Sequence, residues 1–274
     1  MSARSDIRRE VRDFYARAAS SHCCAGEAPQ KGVVARVAGY STEELGPLPD
    51  DAVENSFGCG NPVAFAGLEG SETVVDLGAG AGIDLLLAAR KVGPEGRVIG
   101  VDMTDEMISR ARKNIAEAGL GNVEVRKGFI EDLPVETGSV DWVISNCVIN
   151  LSPDKPKVFA EIARVLRPGG KISISDIVVE DLPECVRRDT ALYASCVGGA
   201  ISEPDYVSGL AEAGLVDVEV TDRLVYGTTE IEALMRSEVS DREGRSGAPR
   251  FGGDAGELAG KIWSARFTAR KASG

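Results

Sequence analysis

The chain of 274 residues contains a single histidine, His22. That excludes Ser-His-Asp triads, histidine proton relays and histidine-rich metal sites. It also lacks a basic excess: 31 Lys and Arg stand against 43 Asp and Glu, a formal net charge of −12. Nucleic acids and anionic membranes require a basic footprint, so neither is expected as a partner. No stretch approaches the ~18 consecutive apolar residues of a membrane span. Met1 to Glu10 contain no apolar run of the secretory kind, so a cytoplasmic location is expected. None of the six cysteines shows the CxxC spacing of a structural zinc site, and no internal repeat is visible. Without an export signal, Cys23, Cys24, Cys59, Cys147, Cys185 and Cys196 are expected as reduced thiols rather than a disulfide framework.

A prior of roughly 150 residues per domain allows one large domain or one with an appendage. The first 20 residues carry Ile7, Val11, Phe14 and Tyr15 at helical spacing, followed by a Cys-, Gly- and Pro-rich loop to about Gly32. From Thr73 the pattern changes to strands alternating with helices. Short apolar runs at Thr73–Leu77, Arg97–Asp102, Val123–Arg126, Asp141–Asn146 and Lys171–Asp176 are separated by amphipathic stretches. The stretch after Asp102 has Thr104 to cap it, Asp105 and Glu106 in its first turn and Gly119 to stop it. Such alternation predicts an α/β fold, a Rossmann-like sheet with helices on both faces. Three segments follow: an N-terminal helical and Cys-containing cap (1–70), the sheet core (71–180) and helices with a smaller C-terminal α+β region (181–274). In the last segment the sequence predicts a helix over Pro183–Cys196 and another opened by Ser202-Glu-Pro-Asp205. Strands are expected at Val216–Val220 and Lys261–Ala269, with an exposed loop over 238–258.

The first strand runs into Asp76-Leu-Gly78-Ala-Gly80-Ala-Gly82, and Asp102 follows 20 residues after Gly82, at the end of the second strand. Glycines there let a ligand approach the backbone, and an acid at that distance can accept both ribose hydroxyls. A nicotinamide dinucleotide site favours GxGxxG, which leaves room for a pyrophosphate. GxGxG with an acid two residues ahead suits S-adenosylmethionine, which has no phosphate and carries an ammonium and a sulfonium. A glycine turn without a ligand, and a solvated strand end at Asp102, are the plainer alternatives.

Cys147 directly follows the fourth strand, which in a doubly wound sheet lies beside the first, at the switch point where ligands bind. Position alone leaves it open between a packed apolar cysteine and one facing the ligand's reactive end. Cys59 is flanked by Gly58 and Gly60 on a tight turn, and Cys196 precedes Gly198-Gly199. Cys185 lies among charged residues and is taken as structural or incidental. His22-Cys23-Cys24 cannot close a tetrahedral metal site alone.

Over residues 20 to 220 the chain resembles the arsenite S-adenosylmethionine methyltransferases, particularly the bacterial type. The segments that carry the resemblance are Gly58-Cys-Gly-Asn-Pro62, Asp76–Asp84, Gly100-Val-Asp-Met-Thr104, Ser145–Lys155 and Cys196-Val-Gly-Gly-Ala-Ile201. The glycine loop is common to class I methyltransferases; the cysteine segments are much narrower. The resemblance implies that Cys59, Cys147 and Cys196 hold As(III), with Cys23 or Cys24 as a further N-terminal thiol. It implies a cofactor site of Asp76, Gly78, Gly80, Gly82, Asp102, Met103 and Asn146, with Ile130 and Glu131 at the adenine end. Arsenite and methylarsenite are the implied substrates, S-adenosyl-L-methionine the methyl donor, and a thiol reductant of the thioredoxin or glutathione type a possible partner.

The chemistry agrees with what the chain lacks. As(III) is soft and thiophilic, and a pyramid of three sulfurs leaves it a lone pair. Arsenic has no proton to remove, so the transfer needs no histidine base. Two rivals remain at this level: a class I methyltransferase acting on another small molecule, such as a quinone, and a metalloid-binding protein without turnover.

Overall fold

A computed structural model describes residues 3–20, 33–181, 193, 196–228, 231 and 258–273. His22, Cys23, Cys24 and Cys185 lie outside the described residues. So do nearly all of the helix expected over 183–196 and the loop expected over 238–258.

Helix α1 (Ala3–Ser20) is followed by the short helices α2 (Val33–Val37), α3 (Thr42–Leu45), α4 (Asp50–Glu54) and α5 (Pro62–Phe65). The alternating region gives β1 (Thr73–Leu77), α6 (Ile83–Val92), β2 (Arg97–Asp102), α7 (Asp105–Glu117), β3 (Val123–Lys127) and β4 (Val140–Asn146). A 3-10 turn (Ile149–Leu151), α8 (Lys155–Val165) and β5 (Leu166–Val179) come next. The chain then forms α9 (Glu203–Glu212), β6 (Leu215–Val225) and β7 (Ile262–Lys271).

These strands make one seven-stranded sheet in the order β3-β2-β1-β4-β5-β7-β6, with β7 antiparallel to both neighbours. The expected α/β class and strand positions hold. β6 and β7 join the same sheet, so the core extends past residue 180. Alternation decides the faces. Val74, Val98, Trp142 and Ile144 pack in one apolar cluster with α6 and α7, while Val75, Leu77, Val101 and Val143 pack in another with α8 and α9. The Arg167-Pro-Gly-Gly170 turn sits within β5 as a bulge, because the pairing steps from Val140↔Leu166 to Trp142↔Lys171.

One local expectation changes and another holds. Thr104 occupies the N-cap of α7 but its side chain makes no cap bond. Its backbone N–H instead donates to Asp102 Oδ1 at 2.8 Å, so the neighbouring carboxylate fixes this corner. At α9, Ser202 accepts from the Asp205 N–H at 3.2 Å, as the capping template requires. Helix α1 lies against α7, burying Val11, Ala18 and Ala19. Among the described residues no helix is long and apolar enough to cross a membrane.

Candidate functional site

Strand order reverses between β1 and β4, and a cleft opens at the carboxyl ends of these strands. It is lined by Asp76, Gly78, Gly80, Asp102, Met103, Ile130, Glu131, Asn146 and Cys147. Of the residues expected to hold the cofactor, Gly82 alone does not line it. Gly82 caps α6 with φ +97°, and a Cβ there would make only ordinary contacts, with Ala111 at 3.5 Å and Leu85 at 3.7 Å; its reason is backbone conformation. Gly78 has φ +66°, and a Cβ would also run into Val148 at 2.5 Å.

The cleft floor is acidic. Asp76, Asp84 and Asp102 are all buried, and among the described residues none of them forms an ion pair. Asp102 is the best satisfied, its two oxygens accepting from the Gly80 N–H (3.0 Å) and the Thr104 N–H (2.8 Å). Burial raises its carboxyl pKa, and these backbone donors hold the rise back. Burial raises Asp84 to about 6. Asp76 rises well above its ordinary value through burial and then the Asp84 and Asp102 charges. Three buried acids at one cleft, none of them paired with a cation among the described residues, fit a ligand that brings positive charge. The glycine loop leaves room for one, since a Cβ on Gly80 would meet only the Gly78 carbonyl, at 4.0 Å. At the opposite end Glu131 is engaged by the protein itself, accepting from Arg8 of α1 (3.0 Å) and Ser152 (2.7 Å).

The cysteines correct one expectation. Cys59 and Cys147 form a disulfide with Cα atoms 5.8 Å apart, so these two are not separate thiols here. The physical reason is the glycine-flanked turn, which carries Cys59 into bonding range of a residue 88 positions away. Cys147 follows β4 with φ +58°, its N–H donating to the Ser175 carbonyl at 2.8 Å. Cys196 is buried, also at positive φ (+66°), and its Sγ donates to the Cys147 carbonyl at 2.6 Å. Gly199 lets that turn come close, because a Cβ there would overlap the Asn150 carbonyl at 2.1 Å. Cys59, Cys147 and Cys196 therefore share one packed cluster. Among the described residues, the three donors lying within 4.8 Å of one another are Cys59, Cys147 and Asp176, not the three sulfurs.

Sequence reading missed Asp176. It is fully buried on β5, accepting from the Asn150 N–H (3.2 Å), Asn150 Nδ2 (2.9 Å), Ile177 N–H (2.9 Å) and Tyr206 hydroxyl (3.2 Å). Burial lifts its pKa to about 7 against those bonds. Its place at the carboxyl end of a central strand was the available signal. Tyr40 and Asp84 were missed too. The former precedes the sheet and carries no motif; the latter lies just beyond the glycine loop.

A family model described as a methyltransferase domain matches residues 68–225. An arsenite methyltransferase of Halobacterium salinarum is 48% identical over 202 residues, 73% of this chain and 51% of that protein. Another, from Aquipseudomonas alcaligenes, is 42% identical over 61% of this chain and 50% of its own length. The chain thus spans about half the length of these curated relatives. Among solved structures, an arsenic(III) S-adenosylmethionine methyltransferase from Chlamydomonas reinhardtii superposes with a TM-score of 0.65 and 34% identity. That match covers 90% of this chain and 76% of the algal one.

Proposed function

The chain belongs to the methyltransferase family, in the branch that holds the arsenite methyltransferases, and we propose that it transfers methyl groups from S-adenosylmethionine to thiolate-bound trivalent arsenic. The observation that carries this reading is the junction at Cys147. One residue lines the acidic, glycine-looped cleft and is also bonded to Cys59, beside Cys196. A methyltransferase for a carbon or oxygen acceptor has no need of convergent thiols at that point. A passive metalloid binder has no need of the cleft.

In this reading Asp102 accepts the ribose hydroxyls, Met103 and Ile130 border the adenine, and Asp76 and Asp84 face the ammonium. S-adenosylmethionine supplies, when bound, an electrophilic methyl on a positively charged sulfur, which the arsenic lone pair takes. The protein's residues do the rest. Cys59 and Cys147, once reduced, displace hydroxide from arsenite as water and hold arsenic as a soft thiolate complex. Cys196 is the third sulfur at hand. Positioning and exclusion of water are the main sources of rate, since arsenic offers no proton to a base. Each Cys59–Cys147 disulfide is opened by two thiols of a glutathione- or thioredoxin-type reductant, which leave as a disulfide.

Asp102→Ala should weaken S-adenosylmethionine binding by tenfold or more, ~1.5–3 kcal/mol for a charge-assisted bidentate contact, as read by calorimetry. The function itself is tested by incubating the reduced protein with arsenite, S-adenosylmethionine and excess thiol, then separating arsenic species. Methylated arsenicals support the proposal. Arsenite recovered unchanged, with a quinone methylated in a parallel reaction, contradicts it.

A further inference from the structure

The turn that carries Cys59 is held by one side chain of the cleft. Asn146, the last residue of β4, accepts at Oδ1 from the backbone N–H of Cys59 (3.0 Å) and of Gly60 (3.2 Å). Its Nδ2 donates to the Gly60 carbonyl at 2.7 Å. The turn is pressed tightly into place. A Cβ on Gly58 would stand 2.2 Å from Asn146 Nδ2, and one on Gly60 would stand 2.5 Å from Ser175 Cβ. Asn146 was expected to bind the cofactor, yet both ends of its amide are already committed to this turn.

What fixes the amide in turn is Tyr40. Its buried hydroxyl donates to Asp84 Oδ1 at 2.8 Å and accepts from Asn146 Nδ2 at 2.9 Å, while Nδ2 also reaches Asp84 Oδ2 at 3.1 Å. Burial and the Asp84 charge raise the Tyr40 pKa, so the hydroxyl keeps its proton at neutral pH. The segment that follows Tyr40 grips the far side of the same turn. Glu44, which closes the cap of α3 by accepting from the Ser41 N–H (2.9 Å), also accepts from Asn61 Nδ2 at 3.1 Å.

We propose that Tyr40 is a positioning residue for the methyl transfer. Through Asn146 it holds the Cys59 turn against Cys147, and through Asp84 it ties that grip to the floor of the cofactor cleft. The inference rests on the function proposed above only for the purpose of the grip, not for its existence. Losing the hydroxyl removes one acceptor from Asn146 and one donor from Asp84, and leaves the amide held on that side by Asp84 Oδ2 alone.

The test is the equilibrium between the Cys59–Cys147 dithiol and oxidised glutathione, which gives the disulfide and two reduced glutathiones. The ratio at balance measures how firmly the two sulfurs are held together. Tyr40→Phe should lower that effective thiol concentration by about tenfold, the loss of one hydrogen bond to a charged partner, with melting temperature little changed. Asn146→Ala should lower it further and serves if Tyr40→Phe does not fold. In the assay of arsenite methylation, Tyr40→Phe should lower kcat while the dissociation constant of S-adenosylmethionine stays within about twofold. A folded Tyr40→Phe protein with the wild-type effective concentration overturns the assignment. A wild-type protein that methylates no arsenic overturns the function instead, and the thiol equilibrium still decides the role of Tyr40.

Discussion

Cys147→Ser should abolish arsenite methylation, lowering turnover by at least about a hundredfold, or ~2.7 kcal/mol in the barrier. The serine hydroxyl is nearly the same size, so the buried position after β4 can remain packed. It is a hard, protonated ligand, however, and holds arsenic poorly. Cys147 is also the sulfur nearest the chemistry, because of the three cysteines among the described residues it alone lines the cleft. The affinity for S-adenosylmethionine should change little, since the glycine loop, Asp76 and Asp102 are untouched. Rates with arsenite, together with calorimetry on the same sample, check both halves. Near-normal turnover would make Cys147 a packing residue.

The second large effect needs no substitution. With Cys59 and Cys147 joined, two of the three sulfurs at the site carry no negative charge and cannot bind arsenic as thiolates. Protein oxidised to that state and assayed without thiol should form no methylarsenical above background, and should bind arsenite at least about a hundredfold more weakly. Treatment with a phosphine reductant, followed by its removal, should restore binding before any turnover. Equal arsenite binding by oxidised and reduced protein would show that arsenic is held elsewhere.

The parts of this molecule that were legible in the sequence are those governed by local rules. The glycine loop shows itself because Gly78, Gly80 and Gly82 all adopt positive φ, which other residues resist. Asp102 shows itself because strand and helix lengths fix its distance from that loop. Cys147 could be placed at the switch point from strand order alone. The apolar residues Met107, Ile108, Ala111 and Ile115 of α7 recur at the helical period and are buried, with Ala118 half-buried at the end of the same stripe. What stayed hidden depends on long-range closure. The reach of Cys59 to Cys147 comes from a turn wedged between Asn146 and Ser175, which no spacing in the sequence encodes. Tyr40 meets Asn146 across 106 positions, and Tyr206 meets Asp176 across 30. Thr104 misled for a local reason: its hydroxyl, like its amide, is engaged by Asp102.

The account turns on arsenic being held by these sulfurs at the end of the cofactor cleft. X-ray absorption at the arsenic edge, on reduced protein carrying one equivalent of arsenite, measures the ligand atoms directly. The expected spectrum has sulfur in the first shell of wild-type protein and one sulfur fewer in Cys147→Ser. A first shell of oxygen alone in the reduced wild type, or an unchanged sulfur count in the variant, would contradict it.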